Sequence, residues 1–200
     1  LPRMSADAAV KRRRQPPRPG RKAKPGATPA DVAAMIRVDH AGEYGAVRIY
    51  AGQLAVLGVS PATARSAELV RHMAAQEDHH LETFDRLLSQ RDVRPTALAP
   101  VWHAAGFALG AVTALMGEKA AIACTEAVEE VIDDHYARQQ DKLKGRDPEL
   151  EDVVARFRAE EIEHRDTARA EGAKEAPAYP ILTGLVKAGC RLAIRLSERI

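Results

Sequence analysis

Two glutamates and two histidines recur in this chain with a spacing that suits metal binding. The pattern Glu-x-x-His occurs twice, as Glu77 with His80 and as Glu161 with His164. Residues three apart on a helix share a face, so both members of each pair can reach one metal ion. A single helix offers too few ligands to complete such a site. Further carboxylates must therefore come from other helices.

A lone glutamate precedes each pair by a similar distance. Glu43 lies 34 residues before Glu77, and Glu129 lies 32 residues before Glu161. The chain is therefore interpreted as two similar helical hairpins that carry the same pattern. If the four helices pack as a bundle, all six side chains project inward, as in ferritin-like di-iron proteins.

The charge and the chemistry of these six side chains favour a pair of metal ions. Four carboxylates and two neutral imidazoles carry a charge of −4, which balances two divalent cations and offsets the cost of burial. Oxygen-rich ligation without a thiolate favours iron or manganese over zinc. Salt-bridged bundle surfaces, the alternative, produce a single Glu-x-x-His often but two copies in register rarely.

A tyrosine extends the repeat. Tyr50 follows Glu43 by seven residues, and Tyr136 follows Glu129 by seven, which is two helical turns along the same face. Both tyrosines are therefore predicted to form a matched outer layer around the ligands. The same register favours Glu129 as the ligand over Glu126, which lies one turn earlier.

Other polar residues lie near the predicted ligands in helical register. Asp39 and His40 precede Glu43 by four and three residues, so each is either a hydrogen-bond partner of the site or an interhelix contact. His135 and Tyr136 lie two turns beyond the ligand of the second hairpin, and the site is expected to open for a substrate there.

Helix-start signals place these residues on four long helices. A capping residue followed by proline occurs at Thr28, Ser60 and Asp147, and this arrangement starts a helix. The first helix is expected to end near residue 58, the second before residue 95, the third near Gly145 and the fourth near Gly172. No run of alternating β-branched residues is bounded by turns, so the fold is predicted to be all-α: a ferritin-like four-helix bundle with additional helices that pack on it or associate with a membrane.

Composition favours one folded domain behind a basic tail. The 200 residues are 46% apolar, enough for one core. Residues 1–27 hold nine basic residues and one acidic residue, and their proline content predicts disorder. The tail is an arm for anionic lipid or nucleic acid, a remnant of a targeting segment, or a solvated extension. Residues 28–200 are predicted to form the domain.

Cys124 and Cys190 lie far apart, which indicates neither a disulfide framework nor a thiolate site.

Two segments are more apolar than a bundle requires. Residues 95–117 contain no charged side chain, which allows membrane crossing, insertion into one leaflet or core packing. Pro100, His103 and the expected continuation of this helix through residues 118–142 argue against crossing. The final helix, about residues 181–199, places a basic stripe beside an apolar face, so it lies on an anionic membrane or packs on the bundle. The stripe consists of Lys187, Arg191, Arg195 and Arg199, and the face of Leu182, Leu185, Val186, Leu192 and Leu196.

Several segments closely resemble the demethoxyubiquinone hydroxylase family of ubiquinone biosynthesis. They are residues 36–46, which read IRVDHAGEYGA, residues 48–53, RIYAGQ, residues 106–110, GFALG, and residues 188–191 and 196–199, AGCR and LSER. The resemblance covers about residues 30–200. It implies a di-iron monooxygenase that hydroxylates the ring of a demethoxyubiquinone-type polyprenyl lipid with O2 and an external reductant such as NADH.

The resemblance also implies roles, partners and a location. The family's ligands fall on the six residues above, with Glu77 and Glu161 bridging the irons, Glu43 and His80 on one ion, and Glu129 and His164 on the other. The implied partners are the polyprenyl quinone, a membrane surface, and a lipid-binding or biosynthetic-complex protein or a second copy of the chain, but not nucleic acid. The implied place is the cytoplasmic face of a bacterial inner membrane or the matrix side of the mitochondrial one, attached peripherally.

Two other functions share the ligand pattern. A rubrerythrin-like peroxidase usually adds a cysteine-rich electron-transfer module, whereas this sequence holds two cysteines. A ferritin-like iron-oxidising protein has no need of a long uncharged segment or a basic amphipathic helix. The hydroxylase is therefore the favoured function.

Overall fold

Six α-helices form the protein in the computed structural model, which describes residues 29–200. The expected basic tail and the cap at Thr28 lie outside these residues. The described part of the chain contains no strand, which confirms the all-α prediction. The helices are α1 (Pro29–Leu57), α2 (Ala64–Arg91), α3 (Ala99–Leu115), α4 (Glu118–Leu143), α5 (Pro148–Ala170) and α6 (Tyr179–Ser197).

Local capping explains where the helices begin and end. The Ser60 side chain accepts a hydrogen bond of 3.2 Å from the Ala62 N–H at the turn before α2. The Asp147 carboxylate accepts one of 3.2 Å from the Leu150 N–H at the start of α5. Both contacts satisfy N–H groups that the first helical turn leaves free. Gly172 follows α5 with φ of 84°, a left-handed conformation that ends a helix.

Two apolar clusters lie on either side of the middle of the bundle. One joins Ile36, Phe84 and Phe157 near one end, and the other joins Leu57 and Val70 near the opposite end. Complete burial of a side chain of this size stabilises the fold by about 1.5–3 kcal/mol. These clusters hold the middle turns of α1, α2, α4 and α5 together, where the predicted ligands lie.

Helix α3 packs closely against α1 through glycines. A Cβ atom added to Gly52 would lie 2.1 Å from the Phe107 carbonyl oxygen, and one added to Gly110 would lie 1.9 Å from the Ile49 carbonyl oxygen. Such distances leave no space for any side chain, so these glycines set the separation of the two helices. Both belong to the segments that resemble the hydroxylase family.

Helix α3 does not continue into α4, so that expectation is wrong. It ends at Leu115, and Gly117 interrupts the chain with φ of 115°, which disfavours any residue with a side chain. Helix α4 then begins at Glu118. Across residues 29–200, the structure contains no helix whose length and apolar character would let it cross a membrane.

Helix α6 packs on the bundle with only part of its expected apolar face. Val186 is buried, whereas Leu185 and Leu192 are 70% and 57% exposed. Lys187 is half-buried and forms an ion pair of 2.9 Å with Glu130 of α4. Within the predicted basic stripe, Lys187 therefore pairs with the bundle.

Candidate metal centre

The six predicted ligands converge in the middle of the bundle. Two groups of possible ligand atoms each lie within 4.8 Å of one another, and both groups include Glu77 and Glu161. Glu43 and His80 complete the first group, and Glu129 and His164 would complete the second. All six side chains are buried, and they come from α1, α2, α4 and α5. The geometry therefore brings together the set that the repeat predicts: Glu43, Glu77, His80, Glu129, Glu161 and His164.

The two carboxylates common to both groups lie between the imidazoles. The Nδ1 atom of His80 is 3.2 Å from Glu161 and 3.7 Å from Glu77. The Nδ1 atom of His164 is 3.2 Å from Glu77 and 3.3 Å from Glu161. Of the two imidazoles, Glu43 contacts that of His80, at 3.4 Å. Glu77 and Glu161 therefore lie within about the same reach of both imidazoles.

Several buried atoms of this cluster lack hydrogen-bond partners. They include both carboxylate oxygens of Glu77, Oε2 of Glu161, and Nδ1 of both His80 and His164. A buried polar atom without a partner costs about 1–3 kcal/mol. All five atoms face the same small volume and are potential metal ligands. The donor set therefore fits two cations, which would satisfy these atoms together.

Each of the two imidazoles donates a hydrogen bond to a residue of the other hairpin. In both cases that residue directly precedes the Glu-x-x-His motif. The Nε2–H of His80 donates to Oε2 of Glu160 at 2.7 Å. The Nε2–H of His164 donates to Oε1 of Gln76 at 3.0 Å. These contacts turn both Nδ1 lone pairs toward the cluster. Gln76 and Glu160 were not predicted from the sequence, although each directly precedes a Glu-x-x-His motif.

The predicted tyrosines do contact ligands, but across the hairpins. The Tyr50 hydroxyl donates to Glu129 at 3.1 Å, and the Tyr136 hydroxyl donates to Glu43. Burial raises the pKa of both hydroxyls, and the neighbouring carboxylates raise it further. The tyrosines therefore remain protonated donors that orient the two carboxylates of the opposite hairpin.

The other predicted polar neighbours form contacts beside the cluster. Asp39 is buried and accepts hydrogen bonds of 3.0 Å from His135 and 2.7 Å from Gln139. His135 and Tyr136 are 6% and 1% exposed, so the expected opening at these residues is wrong. His40 pairs with Asp85 at the surface, at 3.0 Å, rather than with a ligand.

Glu126, the rival of Glu129, has a structural contact instead. Its carboxylate accepts hydrogen bonds of 2.7 Å from Arg169 and 2.8 Å from Tyr179. It therefore connects α4 to the end of α5 and the start of α6. The register of the repeat had favoured Glu129, and only Glu129 lies in the cluster.

In the absence of metal, protons balance the charge of the cluster. Burial raises the pKa of Glu43 and Glu129 well above the ordinary carboxyl value. Burial lowers the pKa of His164, but the carboxylates of Glu161 and Glu77 outweigh it and bring the value to about 9. Burial raises the pKa of Glu161, but His164 and His80 outweigh it and lower the value to about 2. Metal binding must therefore displace protons.

Comparison with known proteins supports one family. The family model described as "Ubiquinone biosynthesis protein COQ7" matches residues 30–197. The 3-demethoxyubiquinol 3-hydroxylase of Rhodospirillum rubrum is 57% identical over 166 residues, covering 83% of this chain and 77% of that protein. The mitochondrial NADPH-dependent 3-demethoxyubiquinone 3-hydroxylase of Homo sapiens is 50% identical over 175 residues, covering 86% and 79%. The mitochondrial 5-demethoxyubiquinone hydroxylase of Saccharomyces cerevisiae is 42% identical over 181 residues, covering 83% and 77%.

Proposed function

Because the chain belongs to the family of the ubiquinone biosynthesis protein COQ7, we propose that it is an enzyme that hydroxylates the ring of a demethoxyubiquinol-type polyprenyl quinone at a di-iron centre. The hydroxylase names of its relatives support the reaction and the substrate class. The observation that supports the metal pair is the presence of Glu77 and Glu161 in both ligand groups. A ferritin-like or rubrerythrin-like role remains the alternative outcome of the activity test below.

The roles proposed for the residues follow from their contacts. Glu77 and Glu161 would hold both ions, whereas Glu43 with His80 and Glu129 with His164 would each complete one position. When two irons are bound there, they supply the activation of O2 and the transfer of one oxygen atom to the ring. The reaction balances when one ring C–H becomes C–OH and the second oxygen atom leaves as water. An external reductant must then supply two electrons, with two protons.

A nicotinamide nucleotide is the proposed source of these electrons. The mammalian relatives are named as NADPH-dependent enzymes, and NADH donates electrons in the same way.

The buried charges of the centre have no direct contact with solvent in the structure, because all six ligands are at most 3% exposed. Such burial excludes water from the reacting atoms and favours transfer of oxygen to the ring.

The substrate's polyprenyl chain requires an apolar approach to the bundle, and α3 and α6 offer one. Exposed apolar side chains occur on α3, such as Val112 and Leu115 at 55% and 74%, and on α6, such as Leu185 at 70%. Trp102 of α3 donates to Ser197 of α6 at 3.0 Å, which joins the two helices. We call the exposed apolar side chains of these helices the α3/α6 surface. We propose that it lies peripherally on an inner membrane, bacterial or mitochondrial.

Helix α3, which carries part of this surface, packs against α1, which carries Glu43. Tyr44, the residue after Glu43, has its hydroxyl 2.6 Å from Nδ1 of His103 on α3. A lipid that reaches α3 is therefore one helix away from a proposed iron ligand. A lipid-binding or biosynthetic-complex protein, or a second copy of the chain, is a further proposed partner at this surface.

The reaction is tested by product formation from a demethoxyubiquinol-type substrate. The iron-loaded protein, supplied with a reductant and 18O2, should form a quinol whose new hydroxyl carries the label. The Glu129→Ala variant should form no product, whereas Glu163→Ala, an exposed neighbour on α5, should keep full activity. Rapid iron oxidation with an unchanged quinone under several reductants would replace the hydroxylase by the ferritin-like alternative.

The membrane proposal is tested by flotation with vesicles that contain anionic lipid. Replacing both Arg191 and Arg195, which are exposed, by glutamate should reduce binding, because each basic residue near such a surface contributes about 1 kcal/mol. Lys187→Ala is the matched control and should leave flotation unchanged, since this side chain pairs with Glu130. The proposal would be contradicted if the wild-type protein did not float with any of the vesicles.

A further inference from the structure

The two imidazoles of the metal centre are supported by chemically different groups. Behind His80 lies the carboxylate of Glu160, and behind His164 lies the amide of Gln76. The remaining ligands match: each position shares Glu77 and Glu161 and has one further carboxylate that accepts a tyrosine hydroxyl. The difference between a carboxylate and an amide is therefore an asymmetry directly behind the two imidazoles.

A carboxylate and an amide affect an imidazole differently. Both accept the Nε2–H and so fix the tautomer that presents Nδ1 to a metal. Only the carboxylate adds negative charge, which makes the imidazole a stronger donor and stabilises positive charge on the ion that it binds. The amide orients the ring without adding charge. Removal or exchange of such an outer partner typically changes metal affinity by about 10–100-fold.

We infer that the two metal positions are unequal, and that Glu160 and Gln76 act as positioning residues that set this difference. The position of Glu43 and His80 binds a divalent cation more tightly and fills first. The position of Glu129 and His164 fills second. This inference rests on the proposed function, since it requires that the six ligands hold two ions.

Both positioning residues can be exchanged without repacking the core. The side chain of Glu160 is 36% exposed, and Gln76 is half-buried. Glutamate and glutamine have nearly the same shape, so Glu160→Gln and Gln76→Glu keep an oxygen acceptor for the imidazole. Unchanged circular dichroism and thermal unfolding would show that each variant keeps the fold.

The experiment is a titration of the full chain, stripped of metal by a chelator, with Co²⁺ under anaerobic conditions. The visible absorption of bound Co²⁺ should report two steps whose affinities differ by about tenfold. In the His164→Ala variant, the remaining ion should bind about as tightly as in the first step. In His80→Ala, it should bind about as weakly as in the second step.

The two exchanges should move the steps in opposite directions. Glu160→Gln should weaken the tighter step about tenfold, and Gln76→Glu should tighten the weaker step about tenfold, so that each exchange brings the steps together. The double exchange should restore two unequal steps, with the positions reversed. A purely structural role would instead weaken binding in both variants.

The outcomes separate this inference from the proposed function. If two ions bind but neither exchange shifts the binding steps, the inference is overturned and the di-metal centre is retained. The same holds if both exchanges weaken binding. Wild-type protein that binds no pair of ions would overturn both. Opposite shifts of the two steps would support both.

Discussion

The α1–α2 hairpin and the α4–α5 hairpin carry the same ligands in different surroundings. Each contributes a glutamate from its first helix and a Glu-x-x-His pair from its second. Each also contributes a tyrosine that donates to the other hairpin's glutamate. The matched pairs are Glu43 with Glu129, Tyr50 with Tyr136, Gln53 with Gln139, Glu77 with Glu161, and His80 with His164.

The hairpins differ one contact further out. Gln139 donates to the buried carboxylate of Asp39, whereas its counterpart Gln53 donates to the Ala121 carbonyl oxygen at 3.0 Å and contacts the Thr125 hydroxyl at 3.4 Å. Asp39 thus occupies the place in α1 that Thr125 occupies in α4. The outer partners Glu160 and Gln76 differ in the same way, one charged and one neutral.

The inner residues of the centre and their outer hydrogen-bond partners are under different constraints. A pair of ions that shared two carboxylates would require equivalent ligands on both sides, and the inner residues do match. The outer residues need only satisfy the hydrogen bonds of the inner ones, and a charged or a neutral group can do this. The outer layer is therefore where one half of the centre can acquire properties that the other lacks.

The largest effect should come from a ligand that belongs to both halves. Glu77→Ala or Glu161→Ala should reduce bound iron from two ions per chain to nearly none, because each carboxylate serves both positions. Glu43→Ala or Glu129→Ala should retain one ion. Iron analysis after anaerobic loading measures this, with Glu163→Ala as a surface control that should bind two. Equal losses in all four ligand variants would show that Glu77 and Glu161 do not bridge.

The next effect tests whether the tyrosines act across the hairpins. Tyr136→Phe removes the hydroxyl that donates to Glu43 and should weaken binding at that position about tenfold. In a Glu129→Ala background, which retains only that position, Tyr136→Phe should weaken Co²⁺ binding and Tyr50→Phe should not. Each tyrosine is therefore the control for the other. The reverse pattern would mean that each tyrosine acts within its own hairpin.

A smaller effect should distinguish Asp39 from Thr125. Asp39→Ala leaves the buried donors of His135 and Gln139 without their acceptor and should reduce the free energy of unfolding by about 1–3 kcal/mol. Thr125→Ala should cost about 0.5 kcal/mol, since Gln53 keeps its bond to the Ala121 carbonyl oxygen. Denaturant unfolding of the metal-free protein measures both values. Equal costs would remove this difference between the hairpins.

The smallest effect is a pH dependence of the metal-free protein. The pKa of His164 is raised to about 9 from its ordinary value of 6.5, so its stabilising contribution is complete below pH 6.5 and is lost as the pH rises through about 9. The melting temperature should fall in this window, by about 2–4 °C for each 1 kcal/mol lost.

Two controls assign this pH effect to the α4–α5 hairpin. His164→Gln should make the curve less steep between pH 6.5 and 9, and iron loading should do the same because the ion replaces the proton. The pKa of Glu161 is lowered to about 2 from 4.5, so its contribution is lost only as the pH falls below about 4.5. A melting temperature that rises between pH 6.5 and 9 would contradict the assignment.

Much of the architecture was predictable because its signals are local. A helix cap, a proline at the first helical position and a glycine after the last turn act within a few residues. These signals located the start of α5 at Asp147 and the ends near Gly145 and Gly172, whereas Ser60 caps the short 3₁₀ helix Pro61–Thr63 that precedes α2 at Ala64. Local signals failed for α3, because the apolar run alone did not show that Gly117 adopts a positive φ.

The sequence by itself determined the candidate ligand set. Helical periodicity places residues three and seven apart on one face, and the two hairpins repeat the same spacing. Glu43, Glu77, His80, Glu129, Glu161 and His164 could therefore be identified before any packing was known. The preference for Glu129 over Glu126 followed from the same register.

Only the tertiary structure decided which side chains meet across helices. The donation from Tyr50 to Glu129, and the support of His80 by Glu160, join residues 79 and 80 positions apart. The pairing of Lys187 with Glu130 likewise removed one residue from the predicted basic stripe. Periodicity gives the face of a helix but not the rotation and height at which that face packs against its neighbours. These partners therefore depend on the assembled bundle, and they are where the two halves of the centre differ.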